Sequence, residues 1–207
     1  MTPPVGVILA GGQARRMGGG DKGLLAVDGA SLLDHVIARA KPQLSHMAIN
    51  ANGDADRFSE FGLPVIADSI EGFVGPLAGV LAGMDWAAAT GQEFVVTVAA
   101  DTPFFPDNLV ETFLQAADAN AAQIVLAATP DPKRGTVRHP TFGLWSVALR
   151  EDLRAALKDG VRKVVMWTDQ YPSATAIFDT KNGDPFFNVN TPDDLERAKI
   201  VKAGLVG

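Results

Sequence analysis

The chain has 207 residues, of which 47% are hydrophobic and 20% are charged, with 24 acidic against 18 basic side chains and a net charge of −6. This length predicts a single domain over 1–207. The composition excludes a disordered tail, and no apolar run approaches the roughly 20 residues that a membrane span requires. The acidic balance argues against a general nucleic-acid or membrane binder, so any phosphate site has to be local.

The sequence contains no cysteine, which excludes disulfides, thiolate metal sites, iron–sulfur clusters and cysteine nucleophiles. Residues 1–4 lead directly into an apolar run that is too short for a signal peptide and has no basic segment before it. We therefore expect a cytoplasmic protein.

Short apolar runs alternate with helical patterns along the first hundred residues. Residues 5–10 form an apolar run that ends at Gly11, which favours a strand over a helix. A glycine-rich loop follows to about Gly23. A helix is then predicted from Ser31, a good N-cap, until Pro42 stops it. Further strands are predicted at 47–51, 63–67 and 94–100, and a helix at 76–91; the run 94–100 is the most β-prone and predicts the central strand.

The alternation continues in the second half of the chain with a looser pattern. The polar stretch 130–135 predicts a loop, and 161–168 fits either a strand or a short helix. Helices are predicted at 106–119, 149–158 and 192–203, and strands at 123–128, 141–145 and 174–178. This order predicts an α/β fold with a mostly parallel sheet covered by helices on both faces, in which ligands bind beyond the carboxyl ends of the strands.

The loop 9–23 contains six glycines and three cations, a composition that suits phosphate binding because glycine lets backbone amides approach an anion. Residues 18–23 match G-x-G-x-x-G, but they do not directly follow the strand, and no acidic residue closes the strand 47–51. A dinucleotide site is therefore disfavoured. A P-loop is also disfavoured, since Gly23 follows Lys22 where that motif has Ser or Thr.

Two further places carry candidate chemistry. Asp101 follows the predicted central strand, where its carboxylate could join Mg²⁺ to substrate phosphates; the alternative is an Asp that caps the turn before Pro103. Asn188 and Asn190 share one face of an extended segment, or else mark a helix-entry turn.

The three histidines, His35, His46 and His139, are scattered along the chain. We therefore expect them at packing or surface positions rather than as metal ligands.

Together these motifs carry a resemblance that extends over almost the whole chain. They resemble the nucleotidyltransferases, and specifically the molybdenum cofactor guanylyltransferases, which implies a single-domain Rossmann-like fold. The matching segments are Leu9-Ala10-Gly11-Gly12, Arg15-Arg16-Met17-Gly18, Asp21-Lys22-Gly23, Leu44-Ser45-His46, Ile49-Asn50-Ala51-Asn52, Ala67-Asp68-Ser69, Gly75-Pro76-Leu77-Ala78-Gly79, Asp101-Thr102-Pro103, His139-Pro140-Thr141 and Asn188-Val189-Asn190-Thr191-Pro192.

The resemblance implies transfer of GMP from GTP to molybdopterin, with pyrophosphate released and Mg²⁺ as cofactor. Arg16, Lys22 and Asp101 would be catalytic, and Asp101 would also hold the metal. The implied nucleotide contacts are Leu9, Ala10, Gly11, Gly12, Lys22, Asn50, Asp68 and Asp101. On the pterin side we expect Arg162, Lys163, Asn188 and Asn190, although Lys163 stands where the family pattern favours a second arginine.

The same resemblance implies GTP and molybdopterin as partners, together with proteins that deliver the pterin or mature molybdoenzymes, and we expect a monomer. Three alternatives stay open. Two are enzymes, a cytidylyltransferase for the same pterin and a sugar-phosphate nucleotidyltransferase. The third is a non-catalytic GTP-binding regulatory domain, which would tolerate the loss of Asp101. Gly11-Gly12 and the late Asn pair favour the guanylyl interpretation.

Overall fold

The computed structural model describes residues 3–11, 21–70, 72, 75–181 and 183–205, with side chains as far as residue 200. Strands and helices alternate along most of this chain. The strands are β1 (Val5–Leu9), β2 (Ala26–Val27), β3 (Ala30–Ser31), β4 (Met47–Asn50), β5 (Val65–Ile66), β6 (Phe94–Ala99), β7 (Ile124–Asp131), β8 (Gly135–Ser146) and β9 (Ser173–Ile177). The helices are α1 (Leu32–Ala40), α2 (Pro76–Ala89), α3 (Leu109–Asn120), α4 (Arg150–Lys158), α5 (Val164–Thr168) and α6 (Pro192–Leu205), with a 3-10 turn at Ala55–Phe61.

Seven strands form one sheet in the order β5-β4-β1-β6-β8-β7-β9. All neighbours are parallel except those of β8, which runs antiparallel to both β6 and β7. The predicted α/β fold with a mostly parallel sheet is therefore confirmed. The N-terminal strand β1 lies inside the sheet, paired on one side with β4 and on the other with β6.

The stretch 130–135 was expected to be a loop, and this expectation is wrong for half of it. β7 continues to Asp131 and β8 starts at Gly135, so only three residues form the turn of a long hairpin. The Asp131 carboxylate accepts hydrogen bonds from the backbone N–H groups of Lys133 and Arg134, and Gly135 has φ +73°. These are the local bonds of an Asx turn, which lets a polar sequence reverse direction while both strands stay paired.

Two smaller differences have equally local causes. The ambiguous stretch 161–168 contains the helix α5, in which Val164 and Trp167 are both buried at helical spacing. A hairpin made by β2 and β3 was not predicted. Its turn residues Asp28 and Gly29 have φ +51° and +82°, so this Asp-Gly pair is a hairpin signal in its own right.

Helices cover both faces of the sheet, as predicted. One buried cluster contains Leu33 of α1 and Phe113 of α3, and the other contains Leu81 of α2 and Leu153 of α4. A third, smaller cluster packs α6 against the β2–β3 hairpin. None of the described helices is long and apolar enough to cross a membrane.

The parallel strands β1, β4 and β6 end side by side, and this carboxyl edge positions the candidate site. Leu9 is level with Asn50 of β4 and with Ala99 of β6. Just past the edge, the N–H of Ala100 donates to the carbonyl of Leu9 at 3.1 Å. Residues that follow these strands therefore meet at one edge.

Candidate functional site

Three distant segments meet at the carboxyl edge through the ammonium group of Lys22. Its Nζ lies 2.5 Å from Oδ1 of Asn190 and 3.4 Å from Oδ2 of Asp101. The side chains of Lys22 and Asp101 are each 21% exposed, so the pair is largely buried rather than on an open surface. The structure thus brings together the basic end of the glycine-rich loop, the turn after β6 and the segment before α6.

Residues 188–190, which we call the strap, run alongside the turn after β6. The N–H of Val189 donates to the carbonyl of Asp101 at 2.8 Å, and its side chain is fully buried in the third cluster. The hydroxyl of Thr102 donates to the side-chain oxygen of Asn188. With Val189 anchored inside, the two Asn side chains on either side of it both contact the 101–102 turn or Lys22.

The strap is held from behind by the first turn of α6. The carboxylate of Asp194 accepts hydrogen bonds from the N–H groups of Asn190 and Thr191, and the N–H of Asp194 donates to the Thr191 hydroxyl. This reciprocal pattern is a capping box. The Thr191 side chain, those two N–H groups and nearby Arg197 hold the pKa of Asp194 below its ordinary value, against a smaller opposing effect of burial.

A second cluster of polar side chains surrounds the carboxylate of Asp68. Its Oδ1 accepts from the amide of Asn50 at 3.0 Å and its Oδ2 accepts from the amide of Asn52 at 2.8 Å. The N–H of Asp68 donates back to Oδ1 of Asn52 at 2.9 Å. Asn50 is buried, so the carboxylate has a fixed orientation at the end of β4. Asn52 lies in one of the segments that carry the family resemblance, but the sequence analysis gave it no role, although it repeats the Asn-x-Asn spacing of the strap.

Helix α2 approaches this cluster closely because Gly79 has no side chain. A Cβ placed on Gly79 would lie 2.3 Å from Oδ1 of Asn50 and 2.7 Å from Cδ2 of Leu9. Distances of that size are not tolerated between real atoms, so the site requires glycine there. Gly11 differs, since a Cβ there would meet nothing within 4 Å.

Arg57 is another residue that the sequence analysis missed. It lies in the 3-10 turn Ala55–Phe61, and its Nε donates to Oδ2 of Asp21 at 2.6 Å. Its terminal nitrogens donate to the backbone carbonyls of Asn52 and Asp54. Nothing in the local pattern marks this arginine, because its partner Asp21 is 36 positions away.

The remaining predicted residues are distributed less compactly. Arg162 donates to the carbonyls of Leu157 and Val161 at the end of α4, and Lys163 precedes α5, whereas Asn188 and Asn190 lie against the 101–102 turn. The predicted pterin-side residues therefore fall into two separate pairs. Leu9 and Ala10 lie at the end of β1. The predicted residues Gly12 and Arg16 lie outside the described residues.

The possible metal ligands around Asp101 are oxygens, and the ammonium group of Lys22 lies beside them. Within the described ranges, no group of three or more His, Cys, Asp or Glu side chains could hold a metal ion. One carboxylate and nearby amide oxygens suit a hard cation that takes its other ligands from phosphates and water, as Mg²⁺ does.

His139 lies away from these oxygens. Its ring stacks on Phe186 at 4.4 Å and its Nε2 is 3.0 Å from the Thr129 hydroxyl. Burial lowers its pKa, opposed by the charge of Asp184. His139 therefore has a packing role, as expected.

Residues 6–173 match the family model described as a MobA-like NTP transferase domain. The chain is 48% identical over 206 residues to a molybdenum cofactor guanylyltransferase from Nitrobacter hamburgensis, covering 98% of this chain and 96% of the relative. It is 47% identical to a protein of the same name from Bradyrhizobium sp. (strain ORS 278), covering 98% and 94%.

Solved structures at lower identity show the same fold. The chain resembles molybdopterin-guanine dinucleotide biosynthesis protein A from Archaeoglobus fulgidus, with a TM-score of 0.74 at 22% identity over 97% of this chain and 99% of that one. It also resembles 2-C-methyl-D-erythritol 4-phosphate cytidylyltransferase from Thermus thermophilus, with a TM-score of 0.74 at 19% identity over 98% and 100%. A guanylyl-side and a cytidylyl-side protein thus share this architecture, so the fold does not select the base.

Proposed function

Because the chain belongs to the molybdenum cofactor guanylyltransferases, we propose that it transfers GMP from GTP to molybdopterin, forming the guanine dinucleotide cofactor and releasing pyrophosphate. The observation that carries this function is the meeting of Lys22, Asp101 and Asn190 at the carboxyl edge, beside the Asn50–Asp68 cluster. A cationic group suits the triphosphate end of GTP, and an oriented carboxylate suits the N–H donors of its guanine end.

The reaction joins two anionic groups, which decides what the protein has to supply. A terminal phosphate oxygen of molybdopterin attacks the α-phosphorus of GTP, and the bond from that phosphorus to the oxygen bridging to the β-phosphate breaks. The attacking phosphate is already ionised at neutral pH, so no general base is required. What remains is to align the groups and to neutralise the charge that grows on the leaving pyrophosphate. Lys22 supplies a positive charge, and Arg16 would add a second from the glycine-rich loop.

We further propose that Asp101 holds Mg²⁺, with amide oxygens of the strap near it. The hard oxygen donors and the partial exposure of the Asp101 side chain support this assignment. When bound, Mg²⁺ would supply Lewis-acid neutralisation of phosphate charge. Lys22 would then bind phosphate oxygens rather than Asp101, and the strap would keep Asn190 facing the reacting phosphates.

Asp68 is our candidate for guanine recognition. Guanine carries N–H donors along its pairing edge, at N1 and at the exocyclic N2, and a carboxylate presents only acceptors to them. Cytosine offers an acceptor at N3, which a carboxylate repels. Asn50 and Asn52 orient Asp68 for this task, while Leu9, Ala10, Gly11 and Gly12 would bring backbone close to the nucleotide.

The proposal extends to the residues on the pterin side and to the cellular context. Asn188 and Asn190 would contact molybdopterin beside the transferred phosphate, and Arg162 with Lys163 would attract its negative charge from the end of α4. We propose that the enzyme acts as a cytoplasmic monomer, where GTP is available. It would receive molybdopterin from a delivering protein and pass the product to molybdoenzyme-maturation proteins.

The test is turnover of GTP with molybdopterin and Mg²⁺, followed by pyrophosphate release and by formation of the dinucleotide. CTP at equal concentration is the matched control, and we expect it to react poorly. Preferred use of CTP would establish the cytidylyl alternative instead. GTP binding without pyrophosphate release would establish a regulatory domain.

A further inference from the structure

Beside the site lies an ion pair that joins two segments of the chain. Nε of Arg57 lies 2.6 Å from Oδ2 of Asp21, and their side chains are 27% and 19% exposed. Solvent therefore screens this pair less than it screens a surface ion pair. Asp21 immediately precedes Lys22, whereas Arg57 belongs to the connection between β4 and β5.

The guanidinium of Arg57 donates hydrogen bonds to other acceptors besides this carboxylate. One terminal nitrogen donates to the carbonyl of Asn52 at 2.6 Å, and the other donates to the carbonyl of Asp54. A planar fork can reach three acceptors in fixed directions, whereas the ammonium of a lysine is a single point charge. The guanidinium also lies 4.7 Å from the ring centre of Phe58, which is fully buried. The orientation of the fork is thus fixed by the core.

Each of two partners of Arg57 lies next to one end of the candidate site. Asp21 is the backbone neighbour of Lys22, the proposed phosphate contact. Asn52, whose carbonyl Arg57 holds, exchanges two hydrogen bonds with Asp68, the proposed guanine contact. One side chain therefore ties the phosphate end of the site to the base end.

We infer that Arg57 is a positioning residue that holds Lys22 and Asp68 at the separation spanned by a guanosine triphosphate. The inference rests on the proposed function, which assigns the phosphates to Lys22 and the guanine to Asp68. Arg57 acts through Asp21 and Asn52, so its contribution is to alignment and not to the chemistry of transfer.

This arrangement has a signature that a general role in stability does not share. Alignment of two half-sites matters to a ligand that reaches both and not to a ligand that fills one. Arg57→Lys should therefore lower the affinity for GTP by about tenfold or more, because small misplacements cost that much at aligned sites. The affinities for inorganic tripolyphosphate and for guanosine should each change by less than about twofold.

The experiment measures the binding of GTP, tripolyphosphate and guanosine by calorimetry, together with melting temperatures. Asp21→Asn, on the other segment, should reproduce the selective loss of GTP affinity, and the double variant should be no worse than either single one. Arg39→Lys is the matched control. Arg39 also joins a carboxylate and a carbonyl, those of Asp107 and Phe105, and its replacement should leave all three affinities unchanged.

Two results would overturn the inference while leaving the proposed function intact. One is GTP affinity within about twofold of wild type in both Arg57→Lys and Asp21→Asn. The other is an equal loss of all three ligands, which would reveal a structural role. A wild-type protein that binds neither GTP nor tripolyphosphate would instead refute the proposed function, and the inference with it.

Discussion

The ammonium of Lys22 and the side-chain oxygen of Asn190 lie 2.5 Å apart, although 168 positions separate them in the chain. Lys22 therefore links the first loop of the protein to the segment before its last helix. Its second contact, with Asp101, places the same ammonium group beside the proposed metal ligand.

Replacing Lys22 by Met should slow transfer more than it weakens GTP binding. The charge of Lys22 meets phosphate charge that increases in the transition state, so we expect kcat to fall by about a hundredfold or more and the affinity for GTP to fall much less. Single-turnover rates and nucleotide titrations measure the two effects. Lys199→Met, on the exposed face of α6, is the control. A rise in KM alone would mean that Lys22 only binds.

Asp101→Asn keeps the shape of the side chain and removes its charge. Turnover should fall to about 1% or less, since the variant loses its charged metal ligand. The fold should persist because Asp101 follows the end of β6 rather than lying within the sheet. Magnesium titration of activity and circular dichroism test both statements, with Asp107→Asn as an exposed control. If the variant reached wild-type activity at the magnesium concentrations that the wild type requires, the metal assignment would be refuted.

Asp68→Asn should weaken GTP use more than it weakens the binding of tripolyphosphate. The new amide presents a donor to the donors of guanine, and such unpaired groups cost a site about a hundredfold or more in discrimination. The measurements are kcat/KM for GTP against CTP and the affinity for tripolyphosphate. An unchanged ratio would show that base selection lies elsewhere.

Gly79→Ala should lower both the stability of the protein and its affinity for GTP. Alanine is the better helix former by roughly 0.5–1 kcal/mol, but its methyl group would displace the Asn50 side chain and break its bond to Asp68. We expect weaker GTP binding by about tenfold. Gly83→Ala is the contrasting variant. Its methyl group would meet the core side chain of Val7 at 3.2 Å, so it should affect the melting temperature and spare GTP.

The pH dependence of stability should reveal the cap on the strap. The pKa of Asp194 is lowered from its ordinary 3.8, first by the Thr191 side chain, so its carboxylate stabilises the folded state at neutral pH. That contribution is present above 3.8 and is lost as the pH falls through the lower folded-state pKa. Asp194→Asn should cost about 0.5–1 kcal/mol near pH 7. The difference from wild type should disappear in acid, as urea unfolding would show; a constant difference would contradict this assignment. Asp118→Asn is the control.

The sequence predicted the sheet, the helices on both faces and the edge at which ligands bind, because apolar periodicity follows directly from burial on the two faces. It also predicted Lys22, Asp101 and Asn190 as separate candidate residues, but not that they contact one another. Their contacts join residues 79 and 168 positions apart, and no spacing rule reaches that far.

Arg57 and Asn52 were missed for the same reason. Each belongs to a polar connection without periodicity, and their roles are evident only from partners on another segment, Asp21 and Asp68. The first part of β8 was missed because turn residues such as Asp131 predict a loop even when they belong to a tight hairpin.

During synthesis, the strands of the sheet leave the ribosome before the strap does. The sheet gains its last strand with β9, which ends at Ile177. The second buried cluster is then complete, whereas the first still lacks Phe178 and Phe186. The strap emerges later, and with it Val189, which completes the third cluster, and Asn190, the partner of Lys22. The match to the family model ends at residue 173, the first residue of β9 and well before the strap. A chain released after β9 would therefore hold all seven strands of the main sheet but lack the strap contacts to Lys22 and Asp101.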